Sequence, residues 1–335
     1  MYVQNEYLFE LGGENTELAK YEAKEVLKGE NYKPETKFEN EFFVIFSLSK
    51  KLENYVIERL GMTKRVSKVI LKSNKKSMIH ALKEVKEIDI GNSSFAIRGI
   101  GKNVTGRKKN SILIGEMISS KNKTELKNPD VKILFYTSSK IIISIFNTKT
   151  QTAYKKCLEH HVKYRPYFSP ISIHPRIARS MVNLSKCLPK SRIVDPFCGT
   201  GGILIEAADM EMEAIGIDIS ARMVENSIGN LKHFGFKGKI KEGDVGILKE
   251  EKYDGIVTDP PYGISSSSNK ENIESLLERT IKIFSDCLKS GQRAVIAVSN
   301  PKLIKSKKFK VIYQFEWYIH KSLTRHIIVL EKTSN

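Results

Sequence analysis

The chain has 335 residues, 40% of them hydrophobic, and its 56 Lys and Arg outweigh 38 Asp and Glu to give a formal charge of +18. That length suits two or three domains, each able to bury a core, and the charge, spread over both halves, fits a polyanionic partner, with a lysine-rich soluble surface as the alternative. The chain has no apolar run of about 18 residues, no basic-then-apolar leader, and no C-x-x-C pair among Cys157, Cys187, Cys198 and Cys287. A membrane span, a secretory signal, a zinc site and a disulfide framework are therefore not expected, and a reducing cytoplasmic setting is.

In chain order, Tyr7-Leu8-Phe9 reads as a strand. Residues 16–28 read as a helix with Leu18, Ala19, Ala23, Val26 and Leu27 on one face. Phe42 to Phe46 reads as a buried strand. The pattern continues through a strand at 69–71, a helix over 78–85 and a strand at 94–98. Residues 98–110, RGIGKNVTGRKKN, gather Arg98, Lys102, Arg107, Lys108 and Lys109 into the densest basic group of the chain. Glycine lets backbone N–H groups approach an anion, so this loop reads either as a phosphate-contacting surface or as a solvated turn. A helix over 111–118 and strands over 131–136 and 140–146 follow. This half is α+β material without a catalytic motif.

Residues 147–165 hold few apolar side chains and read as a linker. Arg165 to Pro170 is extended, because residues before proline avoid the helical region. Pro175 opens a helix with Ile177, Ala178, Met181, Val182 and Leu184 inward. From Arg192 the pattern becomes strict β/α alternation: strand 193–194, helix 203–210, strand 214–217, helix 221–234, strand 255–258, helix 273–288 and strand 293–298. The runs 309–317 and 324–330 could close the chain as an antiparallel hairpin. This is the signature of a doubly wound α/β domain.

Four motifs fall at strand ends, where open α/β sheets bind ligands. Asp195-Pro196-Phe197-Cys198-Gly199-Thr200-Gly201-Gly202 is a glycine turn opening a helix. Leu204 occupies the third glycine position of a dinucleotide fingerprint, and no Gly-Lys-Ser/Thr follows, which argues against nicotinamide and nucleoside triphosphate. Asp195 leads the loop, and a carboxylate there suits the ammonium and sulfonium of S-adenosylmethionine. Asp218 ends the next strand and can accept ribose hydroxyls. Asp244 either accepts from an adenine amino group or caps a turn. Thr258-Asp259-Pro260-Pro261-Tyr262-Gly263 is the strongest signal. A nucleobase amino nitrogen is a poor nucleophile because its lone pair is delocalised. Two acceptors gripping its hydrogens, Asp259 and the Pro260 carbonyl, favour the form that attacks, and Tyr262 offers a ring for the flipped base. Ser172 and Thr200 line the methionine end, and Phe197, Ile219 and Val245 complete the candidate cofactor set. The seven histidines have no partner at metal-ligand spacing, and packing or surface roles are expected.

These motifs together resemble class I methyltransferases of the amino-methylating group. Residues 95–98, Ile114-Gly115-Glu116 and Asn128-Pro129-Asp130-Val131 resemble a THUMP RNA-binding module, and Arg165-Pro166-Tyr167-Phe168 through His174-Pro175 to Leu184 also resembles that group. In this order they look most like the archaeal tRNA guanosine-10 N2-methyltransferases. The resemblance implies a ferredoxin-like segment over 1–60, a THUMP domain over 61–147, a linker over 148–168 and a methyltransferase domain over 169–335. It also implies S-adenosylmethionine as donor, tRNA as partner, a monomer without metal or membrane, and one or two methyl transfers to the guanine N2. Asp rather than Asn at 259 separates this group from relatives acting on guanosine 6 of tRNA, and the Ser265–Asn269 loop departs from the pattern. The rival readings are guanosine 6 or another RNA amino group, and an RNA-binding protein with a vestigial methyltransferase fold.

Overall fold

The structure is a computed structural model and describes residues 5–101, 106–169, 172–261, 272–320 and 323–334. Its first part runs β1 (Glu6–Leu11), α1 (Thr16–Gly29), β2 (Glu35–Glu39), β3 (Phe43–Ser47), α2 (Asn54–Glu58), β4 (Thr63–Ser73), α3 (Met78–Leu82), β5 (Phe95–Gly99), α4 (Arg107–Gly115), β6 (Val131–Thr137) and β7 (Ile141–Asn147). The second runs α5 (Ala153–Lys156), α6 (Pro175–Leu184), β8 (Arg192–Asp195), α7 (Gly202–Asp209), β9 (Glu213–Asp218), α8 (Ala221–His233), β10 (Lys239–Glu242), β11 (Gly255–Thr258), α9 (Ile273–Cys287), β12 (Arg293–Val298), β13 (Phe309–His320) and β14 (Leu323–Lys332). Short 3-10 segments fall at Cys157–His160, Val162–Tyr164, Val245–Glu250 and Pro301–Leu303. The chain divides into two compact units: residues up to 16, 31–58 and 63–153, and residues 17–30, 59–62 and 154–335.

The N-terminal unit is built on one seven-stranded sheet of order β2-β3-β1-β4-β7-β6-β5. Only β5 and β6 run parallel; the other pairs are antiparallel. β1 and β4 pair directly, so the expected boundary at residue 60 falls inside this sheet. The helix expected over 111–118 begins earlier, at Arg107, and ends at Gly115. Arg107, Lys108 and Lys109 therefore form a first helical turn, not a loop. Packing of Ile114 into the core beside Ile133 and Phe135 fixes this register.

The C-terminal unit holds the second sheet, of order β10-β9-β8-β11-β12-β14-β13. Five strands are parallel, and β14 enters antiparallel between β12 and β13. The expected doubly wound domain and its closing hairpin are both present. Central β11 and β12 are buried along their whole length, as helix-covered parallel strands require. The chain leaves β8 towards β9 on one side and returns to β11 on the other. The strand order thus reverses between β8 and β11, which opens a crevice at their carboxyl ends.

Helix α1 precedes most of the first sheet in sequence, yet residues 17–30 belong to the C-terminal unit. Its expected apolar face is buried, and Glu22 and Glu25 are buried with it. Glu22 accepts from the backbone N–H of Gly61 and Met62 at 2.9 and 2.8 Å and from Asn183 Nδ2 at 2.8 Å. Glu25 pairs with Arg293 at 2.7 Å and accepts from the Tyr313 hydroxyl at 2.9 Å.

The stretch read as a linker is packed. Cys157, His160 and Arg165 are buried in the C-terminal unit. His160 Nδ1 lies 2.9 Å from Glu206, and Arg179 Nη1 lies 3.1 Å from Glu206 and 2.6 Å from Asp209. Buried charge replaced apolar periodicity here, so the sequence pattern carried no packing signal. His160, Glu206 and Asp209 offer ligand atoms within 4.8 Å of one another, but the Arg179 guanidinium already pairs with both carboxylates.

Candidate active site

Asp195 ends β8 and is almost wholly buried. Its Oδ1 accepts from Thr258 Oγ1 at 2.6 Å and from the Phe197 backbone N–H at 3.1 Å. Burial pushes its carboxyl up to about 7, and the nearby Asp259 and Asp218 charges add to the rise. Three carboxylates thus converge from the ends of the adjacent strands β9, β8 and β11.

The glycine turn follows. Gly199 (φ 50°) and Gly201 (φ 82°) occupy the left-handed region that favours glycine. A Cβ on Gly201 would lie 2.5 Å from Ser227 Oγ, whereas one on Gly199 would meet no atom within 4 Å. The Gly199 backbone therefore borders open space. Its N–H donates to Asp218 Oδ2 at 2.8 Å, and Asp218 Oδ1 accepts from the Ser220 N–H at 3.0 Å. An ionised carboxylate offers about four lone-pair directions, so Asp218 can still accept ribose hydroxyls. Ser172 Oγ lies 3.1 Å from Thr200 Oγ1, which brings together the two residues expected at the methionine end.

Asp244 caps the segment Val245–Glu250 through Gly246 N–H at 2.8 Å. It also forms a two-pronged ion pair with Arg279 of α9, at 2.6 and 3.0 Å. Of the two readings offered by the sequence, the cap is the one seen here. Val245 is buried in the core cluster, so its side chain packs inward. Phe197 packs against the same cluster, and Ile219 is exposed.

Asp259 leaves β11 with Oδ2 3.0 Å from Arg325 Nη2. Pro260 is buried beside it. Tyr262, the Ser265–Asn269 loop and Lys102 lie outside the described residues.

A cradle of glycine backbone, three carboxylates and two hydroxyls fits a cationic nucleoside-type donor such as S-adenosylmethionine. Residues 162–319 match the family described as RMKL-like, methyltransferase domain, and residues 18–229 match one described as DNA methylase. A tRNA (guanine(10)-N2)-dimethyltransferase of Pyrococcus abyssi is 32% identical over 289 residues, 82% of this chain and 86% of that protein. The chain belongs to the tRNA (guanine(10)-N2)-dimethyltransferase family. The Methanothermobacter thermautotrophicus relative is 42% identical over 173 residues, 50% of this chain and 52% of that protein. The Methanocaldococcus jannaschii relative is 35% identical over 234 residues, 65% and 63%. The match thus spans between half and two thirds of these two relatives. TrmN from Thermus thermophilus aligns over 98% of this chain and 99% of its own, with TM-score 0.54 and 17% identity. A possible methylase from Clostridium difficile 630 gives 0.51 and 17% over 99% of both chains. Those two likenesses carry the fold alone.

Two residues of this family member escaped the sequence reading. Arg325 stands in a hairpin strand with no motif around it. Asn230 is wholly buried in α8. Its Oδ1 accepts from Tyr167 N–H at 3.0 Å, and its Nδ2 donates to the carbonyls of Tyr167 and Thr200 at 3.0 and 2.9 Å. It ties the Arg165–Phe168 segment to the glycine turn. A buried Asn inside an amphipathic helix was the available signal, since such a side chain must find partners.

The basic group lies in the N-terminal unit. Arg98 is exposed on β5 and donates to the carbonyls of Ile97 and Leu126, both at 3.3 Å. Arg107, Lys108 and Lys109 are exposed on the first turn of α4. A cleft of about 650 Å³ in this unit contains none of these residues, and its walls mix Lys51 and Lys68 with Glu87 and Asp89. Mixed charge of that kind does not select a polyanion.

Proposed function

We propose that this chain transfers methyl groups from S-adenosylmethionine to the exocyclic N2 of guanosine 10 in tRNA, once or twice per nucleotide. The observation that carries this reading is the convergence of Asp195, Asp218 and Asp259 at the strand-order reversal, with the Asp-Pro-Pro-Tyr motif at the end of β11. S-adenosylmethionine supplies an electrophilic methyl carbon on a sulfonium. Gly199, Gly201, Thr200 and Ser172 hold the donor's amino-acid end, Asp218 its ribose and Asp244 its adenine, with Phe197, Ile219 and the Val245 backbone around them. Asp195 adds negative charge beside the cationic donor. Asp259 Oδ and the Pro260 carbonyl accept hydrogen bonds from the guanine amino group, which keeps the nitrogen lone pair directed outward. As the nitrogen–methyl bond forms the sulfur–methyl bond breaks, S-adenosylhomocysteine leaves, and one amino proton passes by way of Asp259 to water. Tyr262 stacks on the flipped base. Positioning of this kind supplies a large part of a rate enhancement when the methyl donor is already activated.

The N-terminal unit is proposed as the THUMP-type tRNA-binding region, with Arg98, Lys102, Arg107, Lys108 and Lys109 contacting phosphates. No described helix is long and apolar enough to cross a membrane. All four cysteines are free and buried. Both agree with action on tRNA in a reducing cytoplasm. The test is incubation of unmodified tRNA with labelled donor, followed by nucleoside mapping. N2-methylguanosine or its dimethyl form at position 10 is expected. Label at guanosine 6, or none with Asp259 intact, overturns the reading.

A further inference from the structure

The C-terminal hairpin adds β14 to the sheet, and β14 brings the Arg325 cation to the carboxylate of Asp259. Arg325 is 5% exposed. Its neighbours along the same face of the strand, Ile327 and Val329, are fully buried. A side chain serving only to pack there would be apolar, and a buried guanidinium persists only where an anion compensates its desolvation. The anion is Asp259, whose Oδ2 lies 3.0 Å from Arg325 Nη2. Asp259 also stands close enough to the buried Asp195 for their charges to repel. Arg325 thus attracts the Asp259 carboxylate while the Asp195 charge repels it, and the two together bias its orientation.

We propose that Arg325 is a positioning residue for methyl transfer, pinning the Asp259 carboxylate in the orientation that receives the amino group of the base. The inference rests on the reading of Asp259 as the amino-group acceptor. Arg325 touches neither donor nor base in this account. It acts through Asp259, so its loss lowers turnover and leaves the donor site intact. A misplacement of about 1 Å at a reacting group can cost about 10²-fold in rate.

The experiment is a double-mutant cycle on the full chain, with Asp259→Ala, Arg325→Leu, Arg325→Lys and the double variant Asp259→Ala/Arg325→Leu. It measures kcat and KM for donor on tRNA transcript, and S-adenosylhomocysteine binding by calorimetry as the check on a folded donor site. Arg325→Leu is expected to lower kcat about 10²-fold, with donor KM within about twofold. Arg325→Lys keeps the cation but loses the planar fork, and about a tenfold loss is expected. In the Asp259→Ala background, removing Arg325 is expected to cost less than about threefold more, because two residues acting as a unit are not additive. Should Arg325→Leu fail to bind S-adenosylhomocysteine, Arg325→Lys carries the kinetic test alone. Wild-type kcat in the Arg325 variant that binds overturns the proposal, as does a full further loss in the double variant. Near wild-type turnover of Asp259→Ala instead overturns the reading of Asp259 itself.

Discussion

Thr258 donates a 2.6 Å hydrogen bond to the buried carboxyl group of Asp195, joining the carboxyl ends of β11 and β8 across the point where the strand order reverses. Burial and the neighbouring carboxylates push Asp195 up to about 7, well above the usual aspartate value of 3.8. An acid raised in the folded state binds more protons there than in the unfolded chain between those two values. Its contribution to stability therefore falls as pH rises through that window and levels off above it. Asp195→Asn keeps an acceptor for Thr258 and removes the titration. The melting temperature of the variant relative to wild type is expected to rise between about pH 5 and about pH 8, while donor affinity falls about tenfold. Thermal scans at both pH values with calorimetric donor titration check this; a difference independent of pH removes the buried-acid account.

The Glu25–Arg293 pair makes the opposite prediction. Burial opposes ionisation of Glu25, but Lys28 and Arg293 outweigh it and hold the carboxyl at about 2. A depressed carboxylate stabilises above its unfolded value of 4.5, and that stability is lost as pH falls towards 2. Arg293→Met leaves Glu25 paired with Lys28 at 2.7 Å but removes its buried guanidinium partner, and is expected to destabilise the C-terminal unit by about 1–3 kcal/mol at neutral pH. Glu25→Gln is expected to cost less, and the gap from wild type narrows as pH drops from about 7 to about 3. Denaturant melts of the wild type and both variants across that range measure it. A gap that widens in acid contradicts the assignment.

The motifs at strand ends were legible because glycine, proline and acidic residues at such positions have few structural uses. Central strands were legible because they are apolar runs. What the sequence concealed follows from exposure and from buried charge. β2 (Glu35–Glu39) is an edge strand, largely exposed, and so has no apolar alternation; β10 (Lys239–Glu242) is likewise an exposed edge strand of the other sheet. Glu22, Glu25, Arg179 and Glu206 are buried ionisable groups, each with a partner far away in sequence. Polar patterning places such residues outside. Arg325 combines both difficulties, because its partner Asp259 is 66 positions away and no local pattern links them.

Tyr167 packs against Gly229 so closely that a Cβ there would lie 2.3 Å from its ring. Asn230, the next residue, holds the Tyr167 backbone and the Thr200 carbonyl. Asn230→Asp keeps the acceptor for Tyr167 N–H and removes both donated bonds, leaving two carbonyls facing a carboxylate. A loss of about 1–3 kcal/mol is expected, with weaker donor binding because Thr200 lies in the glycine turn. Gly229→Ala is expected to release the Tyr167 ring and raise KM for the donor more than it lowers kcat. Steady-state kinetics on tRNA transcript, with a melting curve for each variant, separate these effects. Unchanged donor KM in both variants shows that the Tyr167 segment does not shape the cofactor turn.

Arg107, Lys108 and Lys109 stand at the positive end of the α4 dipole. Gly106 precedes them at φ 62° with no capping side chain, and the first turn holds no acidic residue. Cations at a helix N-terminus cost a few tenths to about 1 kcal/mol each, so local stability does not explain the three of them. The proposed tRNA-binding role accounts for them, because a phosphate at a helix N-terminus meets both basic side chains and the first-turn N–H groups that lack an intrahelical acceptor. Replacing all three with Ala is therefore expected to raise the melting temperature of the N-terminal unit slightly while weakening tRNA binding. Each lost phosphate contact reduces the slope of log affinity against log salt by about 0.7–0.9, so the triple variant should flatten that slope by about 2–3. Filter binding to tRNA over a salt series gives the slope. The two effects have opposite signs, and a general disruption of the fold would move stability and affinity downward together. A wild-type slope in a stabilised variant places the tRNA contact elsewhere on the basic surface.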